Sequence, residues 1–138
     1  MDFLKYLPNI KHLYFNDIAI QDVLEINNCT NMQYLALRGT DGIAEYLDFS
    51  NMENLARLYL QDSEMTTVPE FKHPEKVLSL DLYGANWQDI SFINKLSGLK
   101  FILLQGKVPQ ELNSELQSLK SDLESRGAEV YFPEENVQ

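Results

Sequence analysis

The chain has 138 residues, of which 44% are hydrophobic and 23% are charged, a composition typical of one soluble globular domain. Its formal net charge is −10, from 21 acidic and 11 basic side chains. Binding to the phosphates of DNA or RNA requires a basic stripe, which the sequence lacks, so we expect no nucleic-acid ligand. The same acidity would attract a basic protein partner, although acidity also serves solubility alone.

The sequence predicts a cytoplasmic protein without a membrane segment. Its longest apolar runs are far shorter than the roughly 20 residues that span a membrane. Asp2, Lys5 and Lys11 interrupt the apolar N-terminal stretch, which therefore lacks the apolar core of a secretory signal. The single cysteine, Cys29, agrees with this compartment because small secreted domains usually pair their cysteines. We expect Cys29 to be a small buried hydrophobe, with a reactive thiol as the less favoured interpretation.

A regular repeat follows a short N-terminal stretch in which Phe3, Leu4 and Leu7 predict a helical cap that ends at Pro8. The pattern L-x-x-L-x-L then starts at residues 10, 32, 55, 77 and 99, so successive starts differ by 22, 23, 22 and 22. The first part of each unit alternates with period two, as a strand with one buried face does. The second part has an apolar residue about every three positions, so each unit holds a strand and a return arm.

Two units carry a specific expectation. The second unit is one residue longer, which predicts an insertion near residues 40–42 and an apolar tail at Tyr46, Phe49 and Met52. In the fourth unit, Trp87 occupies a repeat position that we expect to be buried in the core. The tails of the remaining units follow the same frame.

This pattern resembles the leucine-rich repeat family, and its length is similar to that of the bacterial internalin class. The resemblance covers about residues 3–108 and implies an α/β solenoid of about five repeats with a parallel, concave β-sheet. Family members usually place Asn or Cys at the ninth position, where the side chain hydrogen-bonds the turn backbone. This chain departs from that pattern, and we expect Thr40 and Ser63 to replace it in part. The ninth positions are Ile18, Thr40, Ser63, Ala85 and Lys107.

The C-terminal part predicts a helix and a sixth strand. After Pro109, leucines recur at helical spacing up to the helix stop Gly127, and we expect this stripe to face the core. These leucines are Leu112, Leu116, Leu119 and Leu123. An alternating stretch at 128–132 predicts the strand. We therefore expect one domain over 1–138, with an N-terminal cap at 1–9, repeats at 10–108, a C-terminal cap at 109–132 and a tail at 133–138.

The third, fifth and seventh positions of each strand are predicted to project from the concave face. The third positions are His12, Tyr34, Arg57, Ser79, Phe101 and Glu129. The fifth positions are Tyr14, Ala36, Tyr59, Asp81, Leu103 and Tyr131. The seventh positions are Asn16, Arg38, Gln61, Tyr83 and Gln105. Five of the seven tyrosines fall in these rows, and tyrosine and arginine are enriched at binding hot spots.

From these rows the sequence predicts a set of partner-binding residues. They are His12, Tyr14, Tyr34, Arg38, Arg57, Tyr59, Gln61, Ser79, Asp81, Tyr83, Phe101, Leu103, Gln105 and Tyr131. The alternative is that tyrosine simply suits strand positions and stacks on its neighbours. We favour binding because neutral stacking does not account for the interleaved Arg57 and Asp81.

We expect no enzymatic activity, cofactor or metal. The sequence has no G-x-S-x-G elbow, glycine-rich phosphate loop or H-E-x-x-H motif. The acidic residues at 41, 45 and 48 do not have the spacing of an EF-hand loop, so a solvated face is the better interpretation. A catalytic pocket formed by His12, Tyr34 and Arg57 is the less favoured alternative.

The sequence therefore predicts a non-enzymatic protein–protein interaction module that is monomeric when free. The favoured hypothesis is an inhibitor or toxin-immunity protein that occludes a basic partner such as a toxin or an enzyme. The alternative is an adaptor or scaffold that links two partners, and a weaker third hypothesis is a structural or surface repeat protein. A contribution of the convex side to binding stays open; its acidic residues are Asp22, Glu25, Asp48, Glu70 and Asp89.

Overall fold

The computed structural model describes residues 9–39 and 42–133, except for the side chains of residues 62–64 and 85. Within these ranges six strands, two α-helices and four short 3-10 helices follow one another. The strands are β1 (His12–Asn16), β2 (Tyr34–Arg38), β3 (Arg57–Met65), β4 (Ser79–Asn86), β5 (Phe101–Lys107) and β6 (Glu129–Tyr131). The α-helices are α1 (Ile20–Ile26) and α2 (Asn113–Ser125). The 3-10 helices are Ile43–Tyr46, Pro74–Lys76, Ser91–Lys95 and Gln110–Leu112.

All six strands form one parallel sheet in the order β1-β2-β3-β4-β5-β6. The predicted α/β class with a parallel sheet is therefore confirmed. The register also agrees with the repeat frame, because each third-position residue pairs with the third-position residue of the next strand. That row runs His12, Tyr34, Arg57, Ser79, Phe101 and Glu129. In the described ranges, no helix is long and apolar enough to cross a membrane.

The core lies on one side of this sheet, against the return arms. Leu58, Leu80 and Ile102 occupy one register row and are completely buried. Burial of a side chain of this size stabilises the fold by about 1.5–3 kcal/mol, which makes the alternating leucines the main source of stability. In the return arms, the rings of Phe49 and Phe71 stack with their centroids 5.2 Å apart. The backbones of the same two residues form an isolated parallel β-bridge.

Two predicted core residues are confirmed. Cys29 is a free, buried thiol at 1% exposure, and burial, followed by the nearby charge of Glu25, raises its pKa. A raised pKa disfavours the nucleophilic thiolate, so Cys29 acts as a small hydrophobe. Trp87 is also fully buried and packs near Phe92, with ring centroids 6.1 Å apart.

Trp87 holds the turn after β4. Its backbone N–H donates to the Lys107 carbonyl oxygen at 2.8 Å, and its indole Nε1–H donates to the Gln105 carbonyl oxygen at 2.8 Å. Gly84 lies so close to the indole ring that a Cβ atom there would collide with it. Gly106 has a φ of +112°, and a Cβ atom there would collide with the Gly84 carbonyl. A buried ring and two close glycines therefore fix a turn that lacks the expected asparagine or cysteine.

The structure corrects two details of the repeat frame. Tyr46 is 43% exposed, and the neighbouring Leu47, which follows the 3-10 turn Ile43–Tyr46, is buried in its place, whereas Phe49 and Met52 are buried as predicted. Strand β3 is also irregular: Leu60 pairs with Leu82 and Met65 with Gly84, so five residues of β3 oppose two of β4. The expected insertion near residues 40–42 and the role of Thr40 lie largely outside the described residues, as does the side chain of Ser63.

At the C-terminal end, the leucine stripe faces the core as predicted. Leu116, Leu119 and Leu123 are buried, and Leu112 packs against them from the preceding turn. Helix α2 begins at Asn113 rather than near Pro109, because a 3-10 turn occupies Gln110–Leu112. Gly127, with a φ of +87°, ends the helix and leads into β6, which pairs with β5. Residues 1–8 of the predicted N-terminal cap (1–9) and residues 134–138 of the predicted tail (133–138) lie outside the described residues.

Candidate protein-binding face

The face of the sheet opposite the core carries the third, fifth and seventh positions of the strands, and we call it the open face. Alternation of side chains along each strand places these positions on one side. All fourteen predicted partner-binding residues have register positions on this face. Ala36 shares the fifth row but is only 4% exposed.

An aromatic row crosses the first three strands of the open face. The His12 and Tyr34 rings meet edge to face with centroids 6.1 Å apart. Tyr34 and Tyr59 meet in the same way at 5.3 Å and an interplanar angle of 84°. Edge-to-face pairs of this kind contribute about 0.5–1.5 kcal/mol beyond their burial. The row is therefore a rigid surface whose rings need no partner to be ordered.

Polar contacts continue the surface across β3 and β4. The Tyr59 hydroxyl and the Ser79 hydroxyl are hydrogen-bonded at 3.0 Å. Two residues further along each strand, the Gln61 side-chain amide donates to the Asp81 carboxylate at 3.3 Å. Asp81 is half-buried and keeps acceptor capacity, since a carboxylate has about four lone-pair sites. The centre of the open face therefore presents an oriented carboxylate beside a fixed tyrosine.

The margins of the open face are more exposed than its centre. Tyr14 in β1 is 60% exposed and donates a hydrogen bond to Asn16 Oδ1 at 3.2 Å. In the last strand, Tyr131 is 53% exposed and contacts Phe101 with ring centroids 5.8 Å apart. Tyr83 is 38% exposed. Exposed tyrosines at both margins extend the candidate contact surface across the width of the sheet.

A shallow concavity of about 560 Å³ lies at the end of the open face where the strands begin, and we call it the Arg57 pocket. Its lining residues are His12, Gln33, Tyr34, Ala56, Arg57 and Leu78. His12, Tyr34 and Arg57, which the sequence analysis grouped only in the less favoured catalytic alternative, therefore line one concavity. Sequence analysis missed Leu78, which is 38% exposed at a position where the other units carry Lys, Gln or Ala. That departure from the polar pattern was the available signal.

Three acidic residues of the return arms, Asp48, Glu53 and Asp89, make local contacts. Asp48 and Asp89 each accept hydrogen bonds from the side chain and then the backbone N–H of the serine two residues further on, Ser50 and Ser91, which lowers the pKa of both carboxyl groups. Glu53 accepts hydrogen bonds from Lys72 and, at 2.9 Å, from His73, and these contacts lower its pKa. These acids stabilise turns and connections between neighbouring units, so the open face is the better candidate for binding.

No family model, curated protein or solved structure matches the chain. In the described part of the chain, no three His, Cys, Asp or Glu side chains are grouped so that they could hold a metal ion. The function is therefore inferred from the side chains that the sheet brings together.

Proposed function

We propose that this protein is a non-enzymatic interaction module of the leucine-rich repeat type that binds a protein partner through its open face. The observation that carries the proposal is the register of the sheet. It brings Tyr34, Arg57, Tyr59 and Asp81 together on three neighbouring strands. Large aromatic side chains with hydrogen-bonding groups, next to arginine and a carboxylate, have the composition of binding hot spots.

The size of the face limits how a partner binds. Six strands about 4.8 Å apart span about 24 Å, and five residues of strand span about 16 Å, which gives a flat area of about 400 Å². A standard protein interface buries about 800 Å² on each partner. The partner must therefore also cover loops at one end of the strands. The Arg57 pocket lies at one such end.

We further propose that binding inhibits a basic partner by occlusion, as a toxin-immunity protein would. The net charge of −10 supports this mode, because it accelerates association with a basic protein. Asp81 at the centre of the face and Glu129 at its margin supply carboxylates for basic side chains. An ordered, preformed face also loses little entropy on binding, which favours tight complexes.

The test is recovery of a partner from native lysate, followed by mass spectrometry. Wild-type bait and a Tyr59→Ala/Asp81→Ala bait are compared with an Arg126→Gln control, whose side chain pairs with Asp122 on α2. We expect one protein to be recovered by the wild type and the control and lost with the double variant. Equal recovery by all three baits would contradict binding through the open face.

Inhibition is tested by coexpression. The protein should rescue cells from a toxic, basic product of a neighbouring gene, and absence of rescue when both proteins are made would contradict inhibition.

An adaptor is the second candidate, and one observation favours it. Ile20, Leu24 and Tyr46 are exposed apolar side chains on the return-arm side, at 41%, 53% and 43%. A second apolar surface away from the open face is what an adaptor requires. Two partners bound at once, one of them lost with Leu24→Ser and the other with the open-face double variant, would favour the adaptor. A single partner at one-to-one stoichiometry would favour the inhibitor.

A further inference from the structure

We infer that the Arg57 pocket takes an acidic side chain of the partner, Asp or Glu, that lies next to an aromatic or apolar residue in an internal segment. This inference rests on the proposed function and specifies the chemistry of the partner. Of the six residues that line the pocket, His12, Gln33 and Arg57 carry nitrogen donors and none is acidic. Leu78, Ala56 and the Tyr34 ring supply apolar surface beside them.

Arg57 is available for a ligand. Among the residues that the structure describes, no side chain forms an ion pair or hydrogen bond with its guanidinium group. Arg57 therefore pairs with none of the acidic side chains in the described part of this acidic chain. A guanidinium group presents a planar fork of N–H donors that matches a carboxylate in two parallel hydrogen bonds.

The walls of the pocket determine which partner side chain fits next to the acidic one. Tyr34 is held edge to face by His12 on one side and by Tyr59 on the other, so its ring is fixed before a partner binds. Leu78, at the start of β4, adds an exposed apolar wall. A carboxylate alone would leave the apolar wall of Tyr34 and Leu78 exposed to water, whereas an adjacent aromatic or apolar side chain of the partner would bury it. The pocket therefore favours an acidic residue with such a neighbour over a bare anion.

The arrangement of charge also sets the direction of the partner segment. Asp81 lies on the strand next to Arg57 but two positions further along, and it accepts a hydrogen bond from Gln61 instead of pairing with Arg57. The open face thus keeps a cation near β1 to β3 and a carboxylate towards β4. A segment that places its acid at Arg57 and continues towards β4 brings a basic side chain to Asp81. This continuation requires an internal segment rather than a chain end.

The experiment is an NMR titration of the ¹⁵N-labelled protein with two dipeptides, N-acetyl-Glu-Phe-amide and N-acetyl-Gln-Phe-amide. We expect amide shifts at His12, Tyr34, Arg57 and Leu78, and binding of the Glu peptide tighter by about fivefold, as for a partly exposed charge-assisted hydrogen bond. In Arg57→Gln the two peptides should bind equally. In the control Arg126→Gln, whose arginine directly follows α2 and already pairs with Asp122, the fivefold difference should persist.

Three results would overturn the inference. They are equal binding of the two peptides to the wild type, shifts confined to residues outside the pocket, and the same affinity for inorganic phosphate as for the Glu peptide, which would indicate a general anion site. The wild-type comparison needs no variant, so a folding defect in Arg57→Gln cannot produce the first result. If the pocket shows no preference for Glu while partner recovery still depends on Tyr59 and Asp81, the inference fails and the proposed function stands.

Discussion

Along strand β4, Leu80 and Leu82 point into the core, while Ser79, Asp81 and Tyr83 alternate with them on the open face. The core face repeats the same residue type from strand to strand, because each leucine fills the same space between sheet and return arm. The open face differs in every strand. Core packing therefore constrains the residue type at only every second position of a strand, and the other positions can carry side chains that bind a partner.

The largest effect in this comparison is expected at Trp87. Trp87→Ala removes the largest buried side chain and leaves the Gln105 carbonyl without its indole donor. We expect the free energy of unfolding to fall by about 3–5 kcal/mol, measured by urea denaturation. Tyr83→Ala, an exposed residue of the same repeat unit, should change it by less than about 1 kcal/mol. Similar losses for both variants would contradict the division between the two faces.

Two neighbouring residues of β4 test the alternation directly. Leu80→Ala should lower the free energy of unfolding by about 2–5 kcal/mol, because it opens a cavity in a site with no exposure. Asp81→Ala should change the same quantity by no more than about 0.5 kcal/mol, since its contact with Gln61 is exposed. A destabilisation by Asp81→Ala as large as that by Leu80→Ala would mean that the open face is part of the structural core.

A smaller effect is expected at the hydroxyl of Tyr59. Tyr59→Phe keeps the ring against Tyr34 and removes only the hydrogen bond with Ser79. We expect a loss of about 0.5–1.5 kcal/mol in the free energy of unfolding from this part-buried contact, measured by urea denaturation. Ser79→Ala should cost a similar amount, and the double variant no more than either alone. Additive losses would show that the two hydroxyls act independently.

The smallest effect concerns the ion pairs of the return arms. Lys72 and His73 lower the pKa of Glu53, so its stabilising contribution is present above the ordinary Glu pKa of about 4.3 and is lost as the pH falls through the lowered value. The melting temperature of wild type should therefore exceed that of Glu53→Gln slightly at pH 7, and the difference should vanish in strongly acidic buffer. A difference that grows on acidification would contradict this sign.

The strands and their register were predictable from the sequence because a buried face imposes a period of two and the units have nearly constant length. The extra residues of β3 were not predictable from the sequence. The return arm that follows β3 is shorter and compensates for them, so the spacing from Leu58 to Leu80 is still 22 residues. Exposure of Tyr46 was missed for a related reason: a 3-10 turn shifts the buried position to Leu47.

The candidate site was predictable in part. Register alone brings Tyr59 next to Asp81, and pattern analysis identified both. It could not show that the Tyr59 hydroxyl bonds Ser79, because that contact depends on side-chain torsions rather than on spacing. The exposure of Leu78 was missed although the sequence carried a signal for it, since the equivalent positions of the other units hold Lys, Gln or Ala.

The central claim is that the open face binds a protein partner and contributes less to the stability of the fold than the core face does. Its most direct test is a calorimetric titration in which the partner recovered from lysate binds either the wild type or the Tyr59→Ala/Asp81→Ala variant. The free energy of unfolding is measured for the wild type and for the variant. We predict an affinity loss of at least about tenfold, as expected for two hot-spot residues, with a free energy of unfolding that falls by about 1–3.5 kcal/mol through loss of the Tyr59 hydroxyl, its ring pair with Tyr34 and the Asp81 carboxylate. Unchanged affinity in a folded double variant would contradict the claim.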